Sequence, residues 1–285
     1  MIIILFISLE FFLFFLIPFI FIFDFPKKCL NTISVKISIP LFLIGTVLII
    51  FLFFPFNINK REVYNNISIG LGTNIYGLVI TILFIQRMLD KHHLEKDVRE
   101  EKEKIIRFNS LTQISITNYI TSFQDLTTPI GKTQNLNLNF SFEDIQDLYY
   151  PSILITQLQK FKIMVFYENQ KKLENDLLRM ISEINFFHYP EIRDTILRFI
   201  KEIKENDVYE GIIANKNIAV GNKTLGDSAI DMIKNNKNQD WITKFDNNQL
   251  RGNIIVPYVV LYKSLHKQIS LIIDYQNLIK NILDY

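Results

Sequence analysis

The sequence contains a single cysteine, Cys29, so no intrachain disulfide can form and a disulfide-stapled extracellular fold is not implied. It also has no marked excess of either charge: 31 Lys and Arg stand against 29 Asp and Glu, which gives a net charge of +2. This balance provides no overall attraction to nucleic acid, so no nucleic-acid partner is expected. The four histidines do not cluster with other metal ligands in the sequence, and no complete phosphate-binding loop occurs. We therefore expect no metal and no cofactor, and favour a non-enzymatic protein over an enzyme.

Long apolar runs, by contrast, dominate the first part of the chain, at residues 2–23, 39–56 and 67–86. Twenty helical residues extend about 30 Å, which matches the hydrocarbon core of a bilayer. The first run has neither a basic start nor a small-residue cleavage site, so it is interpreted as a retained span and not as a signal peptide. The sequence predicts an all-α integral membrane protein with three N-terminal transmembrane helices in residues 1–86, and the lipid bilayer as its partner.

Basic residues near the span ends predict the orientation. The first loop and the segment after the third span together carry ten basic residues, against two in the second loop, Lys60 and Arg61. The ten are Lys27, Lys28, Lys36, Arg87, Lys91, Lys96, Arg99, Lys102, Lys104 and Arg107. The larger group is expected in the cytoplasm, which places the N-terminus outside. Because a composition rich in Ile, Asn, Lys and Phe is typical of an AT-rich bacterial genome, the inner membrane is the expected location.

Residues 87–107 contain no Gly or Pro and carry acidic-to-basic pairs four residues apart, which predicts a solvated juxtamembrane helix. A coiled coil that oligomerises the protein is the alternative, but sustained heptads are missing. Residues 108–285 are predicted to form a cytosolic α-helical domain, with apolar residues such as Leu111 and Phe123 facing inward.

Several local signals within this domain predict element boundaries. Alternation over residues 136–140 is compatible with a short strand, and Ser141 is a candidate helix N-cap. A three- and four-residue repeat beginning at Leu154 predicts a helix, and Pro190 suits the start of another. The last helix is predicted to reach the chain end as the seam of a helical bundle or of a coiled coil, with Gln276 as a polar residue in register.

Glu10 is a carboxylate within the first apolar run. Such a group costs about 2.5–3.5 kcal/mol on insertion scales, so it usually faces a partner or a water path. A gating, proton-sensing or helix-pairing role is one interpretation. The other is that the span begins near Phe11 and Glu10 lies among the outer headgroups.

Small and polar residues share one face of the third predicted span: Gly70, Thr73, Asn74, Gly77 and Thr81. Small residues at this spacing allow helices to approach closely, and an asparagine can hydrogen-bond across the contact. This face is expected to pack against the protein's own first two spans. Self-association into a homo-oligomer and the lining of a pore are the alternatives.

Two resemblances are carried by short segments. Arg87 and His92 form the pattern R-x-x-x-x-H, which resembles the catalytic motif of HEPN ribonucleases, where Arg and His act together on the RNA phosphate. The segment GLGTNIYGLVITILFIQRMLDKHH, residues 70–93, is similar to a recurrent feature of uncharacterised bacterial multi-span membrane proteins. The first resemblance implies a membrane-tethered ribonuclease, whereas the second implies no activity.

The leading functional hypothesis is a membrane-anchored, non-enzymatic sensor, effector or scaffold. In it, the cytosolic helical domain binds a protein partner and the spans self-assemble, as in bacterial stress or phage-defence effectors of this layout. The alternatives are an ion channel or transporter subunit and the tethered ribonuclease.

Overall fold

The computed structural model describes residues 40–42, 44–45, 47, 61–154 and 159–284, and every structural statement below refers to these residues. The described chain is 76% helical, which confirms the all-α class. One two-stranded antiparallel hairpin joins β1 (Ala219–Val220) to β2 (Lys223–Thr224), with Gly221 at φ +61° in its turn.

The helices are described in chain order. A long helix, α1 (Arg61–Thr127), is followed by a 3-10 turn at Phe142–Ile145. The remaining helices are α2 (Lys162–Glu183), α3 (Pro190–Glu205), α4 (Tyr209–Asn217), α5 (Leu225–Lys234), α6 (Asn236–Gln239), α7 (Trp241–Asp246) and α8 (Val256–Asp284).

The chain divides into two compact units, Met1–Asp97 and Val98–Tyr285, here called the N-terminal unit and the helical unit. Within the described residues, α1 is the one helix long and apolar enough to cross a membrane. Its best 18-residue window has a mean hydropathy of 1.7 and is 11% buried. The predicted span at 2–23, with Glu10, lies outside the described residues, and the predicted span at 39–56 is described only at helical positions between 40 and 47.

The helical unit packs antiparallel helices around one hydrophobic core. Tyr119 of α1 donates a hydrogen bond to Gln268 of α8, and Tyr275 of α8 donates one to Asn109 of α1, each across 3.0 Å. Because the earlier residue on α1 meets the later residue on α8, the two helices are antiparallel. On α2, Asp176 accepts a hydrogen bond from Ser115 of α1, and α3 packs along α8. The core residues include Phe123, Phe166, Leu173, Phe199, Leu265 and Ile272.

A buried polar group links three of these helices. The Gln268 side chain is 3% exposed, and its amide oxygen accepts from the Tyr119 hydroxyl and, across 2.7 Å, from Gln170 of α2. The Gln268 amide nitrogen donates to Ser264 at 2.8 Å. Burial raises the pKa of Tyr119 well above its usual value, so the hydroxyl remains a donor. This cluster fixes the helix register, because sliding one helix would leave buried polar atoms unpaired.

Several predicted boundaries agree with the structure. Ser141 caps the 3-10 turn through a capping box, and Pro190 is the first residue of α3. Trp241 begins α7, a short helix.

Other predictions are wrong. Residues 136–140 form no strand, because the Asn137 side chain accepts from the Asn139 backbone and turns the chain. Leu154, where a helix is predicted to begin, lies in a turn, and α2 begins at Lys162, after Pro151 and Phe161 have formed an isolated antiparallel bridge; residues 155–158 lie outside the described residues. Leu111 is 62% exposed instead of buried.

Candidate functional site

The small-residue face of α1 is open within the described part of the chain. A Cβ atom added at Gly70 or Gly77 would meet no described atom within 4 Å. The Thr73 and Thr81 hydroxyls donate to carbonyls of their own helix, at Ile69 and Gly77 respectively, each across 2.8 Å. Asn74 is exposed, and its amide makes no hydrogen bond to a described residue. The structure thus keeps all five predicted residues on one face, and Asn74 is the polar side chain of that face that has no hydrogen-bond partner among the described residues.

The contacts of the N-terminal unit lie on another face of α1. A Cβ atom added at Gly45 would come within 3.2 Å of Ile75 and 3.3 Å of Tyr76, and the rings of Phe42 and Tyr76 meet edge to face at 5.4 Å. Gly45 therefore permits close helix packing here, a role the sequence suggested for Gly70 and Gly77. Where residues 40–47 are described, they leave the small-residue face uncovered.

Arg87 and His92 are both exposed on α1, in the N-terminal unit. A separation of five residues places them about 140° apart around a helix of 3.6 residues per turn, so one copy of α1 does not direct both at the same phosphate. The His92 ring instead meets that of His93, with centroids 6.3 Å apart. Arg87 shares its face with Lys91, four residues on.

Sequence reasoning missed a groove of about 730 Å³ between α3 and α8. It is lined by Glu191, Asp194, Thr195, Leu197, Arg198, Asp274, Asn277, Leu278 and Asn281. Both walls repeat polar residues at i, i+3 and i+7, which is visible in the sequence. Only the pairing of α3 with α8, which the sequence does not reveal, shows that these two patterns line one groove.

The groove is lined by more acidic than basic side chains. Glu191, Asp194 and Asp274 have no ion-pair or side-chain hydrogen-bond partner among the described residues. Arg198 donates to the Thr195 hydroxyl across 3.3 Å and lies within ion-pair distance of none of the three carboxylates. Three free carboxylates and two amides offer many acceptors, so the groove suits a ligand that carries cationic donors.

A second polar cluster lies at the other end of the helical unit and is closed to solvent. The Lys162 ammonium, at the start of α2, lies 3.5 Å from the Asp125 carboxylate and donates to the backbone oxygens of Asp125 and Thr128. Ser152 donates to the same carboxylate across 2.6 Å. This cluster joins α1, α2 and the intervening loop. Because both charged side chains are at most 5% exposed, a substrate has no access to them.

Neither a protein-family model, nor a curated protein, nor a solved structure matches this chain. A functional assignment must therefore rest on the residues of the chain itself and on their geometry.

Proposed function

We propose that this chain is a membrane-anchored, non-enzymatic effector or scaffold that self-assembles through its spans and binds a partner through its helical unit. Three spans, at about 2–23, 39–56 and 67–86, cross the inner membrane of a bacterium with the N-terminus outside. The helical unit then lies in the cytoplasm. The observation that carries this proposal is the apolar window of α1, which has a mean hydropathy of 1.7 but is only 11% buried.

Exposure of this window favours a lipid environment over a soluble core. Leu78, Ile80, Phe84 and Ile85 are each more than half exposed within the N-terminal unit. Leaving a large apolar side chain in water forgoes about 1.5–3 kcal/mol relative to burial, and a bilayer removes that penalty for all of them at once. Soluble proteins rarely present a continuous apolar surface of this size.

The open face of Gly70, Thr73, Asn74, Gly77 and Thr81 supports self-assembly. A side-chain amide in hydrocarbon has no water to bind, and a second copy of the same helix brings an equivalent amide within reach. The threonine hydroxyls are already satisfied by their own helix, so they add small volume without an unmet hydrogen bond. Asn74 therefore contributes the directional interaction and the glycines permit the close approach.

The groove between α3 and α8 supports partner binding by the helical unit. Its free carboxylates Glu191, Asp194 and Asp274 complement a basic protein segment, for which salt-dependent association is expected. The same groups favour a protein partner over a nucleic acid, whose phosphates they would repel.

The test is the native mass of the full-length protein in nanodiscs, compared with two variants. We expect an oligomer for the natural chain and a fivefold or so weaker association for Asn74→Leu, because an interhelical hydrogen bond contributes about 1 kcal/mol. Gly77→Leu should weaken association further by separating the helices. Ile82→Leu, which conserves volume at a position about 80° or more around the helix from each of the five residues of the open face, is the matched control. A monomeric natural chain would contradict self-assembly.

A channel or transporter subunit is the second candidate, favoured by the polar groups of Asn74 and Thr81 on the open face. In that case Asn74→Leu or Glu10→Gln should change ion flux through reconstituted vesicles. Unchanged flux in both variants would exclude the pore and leave the scaffold.

A further inference from the structure

A stripe of exposed residues on α1 changes from apolar to basic at the predicted end of the span. Ile80, Phe84, Arg87 and Lys91 follow one another at steps of four, three and four residues. At 100° per residue they lie within an arc of about 60° of the helix surface. Ile80 is 52% and Phe84 59% exposed, and both cations are exposed as well. The two cations thus follow directly on the apolar end of this stripe.

The depth of the two cations fits the headgroup layer. A span of 67–86 fills about 30 Å of hydrocarbon, so Arg87 lies at its edge and Lys91 about 6 Å beyond it. The headgroup layer on each side of a bilayer is roughly 5–7 Å thick. Two cations on one face would therefore both reach phosphates of the same leaflet.

The protein itself leaves these cations largely available. Arg87 has no hydrogen-bond or ion-pair partner among the described residues. Lys91 lies 3.8 Å from Glu95, but both side chains are more than 60% exposed, and such pairs contribute little. The neighbouring Asp90 accepts a hydrogen bond from Gln86 across 2.7 Å and forms no ion pair with Arg87 or Lys91 among the described residues.

We propose that Arg87 and Lys91 bind the headgroup of an anionic phospholipid. This inference rests on the proposed membrane anchoring and adds the lipid class to it. Arg87 contacts the phosphate with its planar fork of donors, and Lys91 adds a second charge.

The experiment uses the full-length protein, purified in a neutral detergent, with phosphatidylglycerol and phosphatidylcholine added in separate titrations. Native mass spectrometry counts the lipids that remain bound. The natural chain should retain phosphatidylglycerol in preference to phosphatidylcholine, and an equal concentration of inorganic phosphate should not displace it. Arg87→Gln combined with Lys91→Gln should weaken phosphatidylglycerol binding about fivefold for each charge removed.

The matched control is Lys171→Gln with Lys172→Gln, which removes two exposed cations of the helical unit. Retention of phosphatidylglycerol in this control, together with its loss from the first pair, supports the site. Equal binding of both lipids, equal losses in both pairs, or displacement by phosphate would overturn it.

A separate wash of the membranes with alkaline carbonate distinguishes the two proposals. A protein that leaves the membrane contradicts the anchoring and the lipid site together. A protein that stays, but shows no preference for phosphatidylglycerol, contradicts the lipid site alone.

Discussion

Replacing Asp125 by asparagine should destabilise the helical unit severely. Asp125 is 2% and Lys162 4% exposed, so the carboxylate balances a charge that water does not reach. The substitution keeps the shape of the side chain but removes its charge. The Lys162 ammonium then retains only the backbone oxygens of Asp125 and Thr128, together with a neutral amide.

The expected magnitude follows from the burial. Removing one partner of a buried ion pair costs about 3–5 kcal/mol, because the other charge remains uncompensated. A domain has a total stability of about 5–15 kcal/mol. For a unit of this size, each kcal/mol changes Tm by roughly 2–4 °C, so a decrease of roughly 6–20 °C is expected.

A single tryptophan allows the unfolding of the helical unit to be followed by fluorescence. Trp241 is the single tryptophan of the chain and lies in the helical unit, where its indole N–H donates to the Met232 carbonyl across 3.0 Å. Its fluorescence can therefore follow thermal and denaturant unfolding of the full-length protein in detergent. Lys160→Met is the matched control, since Lys160 pairs with Glu168 at the surface and its loss should cost less than about 1 kcal/mol.

A double-mutant cycle tests the reasoning behind this value. Lys162→Met alone should also be strongly destabilising, whereas Asp125→Asn combined with Lys162→Met removes both charges. The double variant should therefore be more stable than the sum of the single effects by about 2 kcal/mol or more. Additive effects, or a Tm for Asp125→Asn within 2 °C of the natural chain, would refute the buried ion pair as the cause.

Two further predictions concern the same unit. Gly226→Ala should lower stability by about 1–3 kcal/mol in denaturant titrations, because its Cβ would lie 2.9 Å from the Tyr149 ring; an unchanged midpoint would contradict this contact. Burial lowers the pKa of His266, which stacks on Phe140 with ring centroids 4.0 Å apart, so the folded state favours the neutral ring. Stability should be complete above the unfolded pKa of about 6.5 and decrease as the pH falls through the lower folded value. His266→Gln should remove this loss between pH 7 and 5, and a decrease that persists in the variant would assign it to other groups.

Local chemistry made part of the fold predictable. Ser141 and Pro190 mark element starts because a side-chain acceptor and a fixed φ act within a single turn, independent of the rest of the chain. The apolar window of α1 could also be predicted from the sequence, because the test for a membrane span uses only length and composition. Such signals need no knowledge of which helices meet.

Prediction failed at positions whose environment depends on which helices pack against each other. The periodic pattern named Gln276 as the polar residue in the seam of the last helix, but Gln268 is the buried one, because Tyr119 and Gln170 approach it from neighbouring helices. Leu154 matches a helical repeat, yet the chain there is held by the bridge of Pro151 to Phe161. The groove was missed for the same reason, since its two walls are distant in sequence and neither is unusual alone.

Polar side chains that stabilise the fold differ from those available for binding in whether they have a hydrogen-bond partner among the described residues. Asp125, Lys162 and Gln268 are buried and fully engaged with one another or with neighbouring side chains, so their polarity serves the fold. Asn74 and Asp194 are exposed and unpaired among the described residues, so replacing them should cost the fold little. Polar groups that folding does not require, placed in the apolar stretch of α1 and in a concave groove, are the ones expected to meet a second molecule.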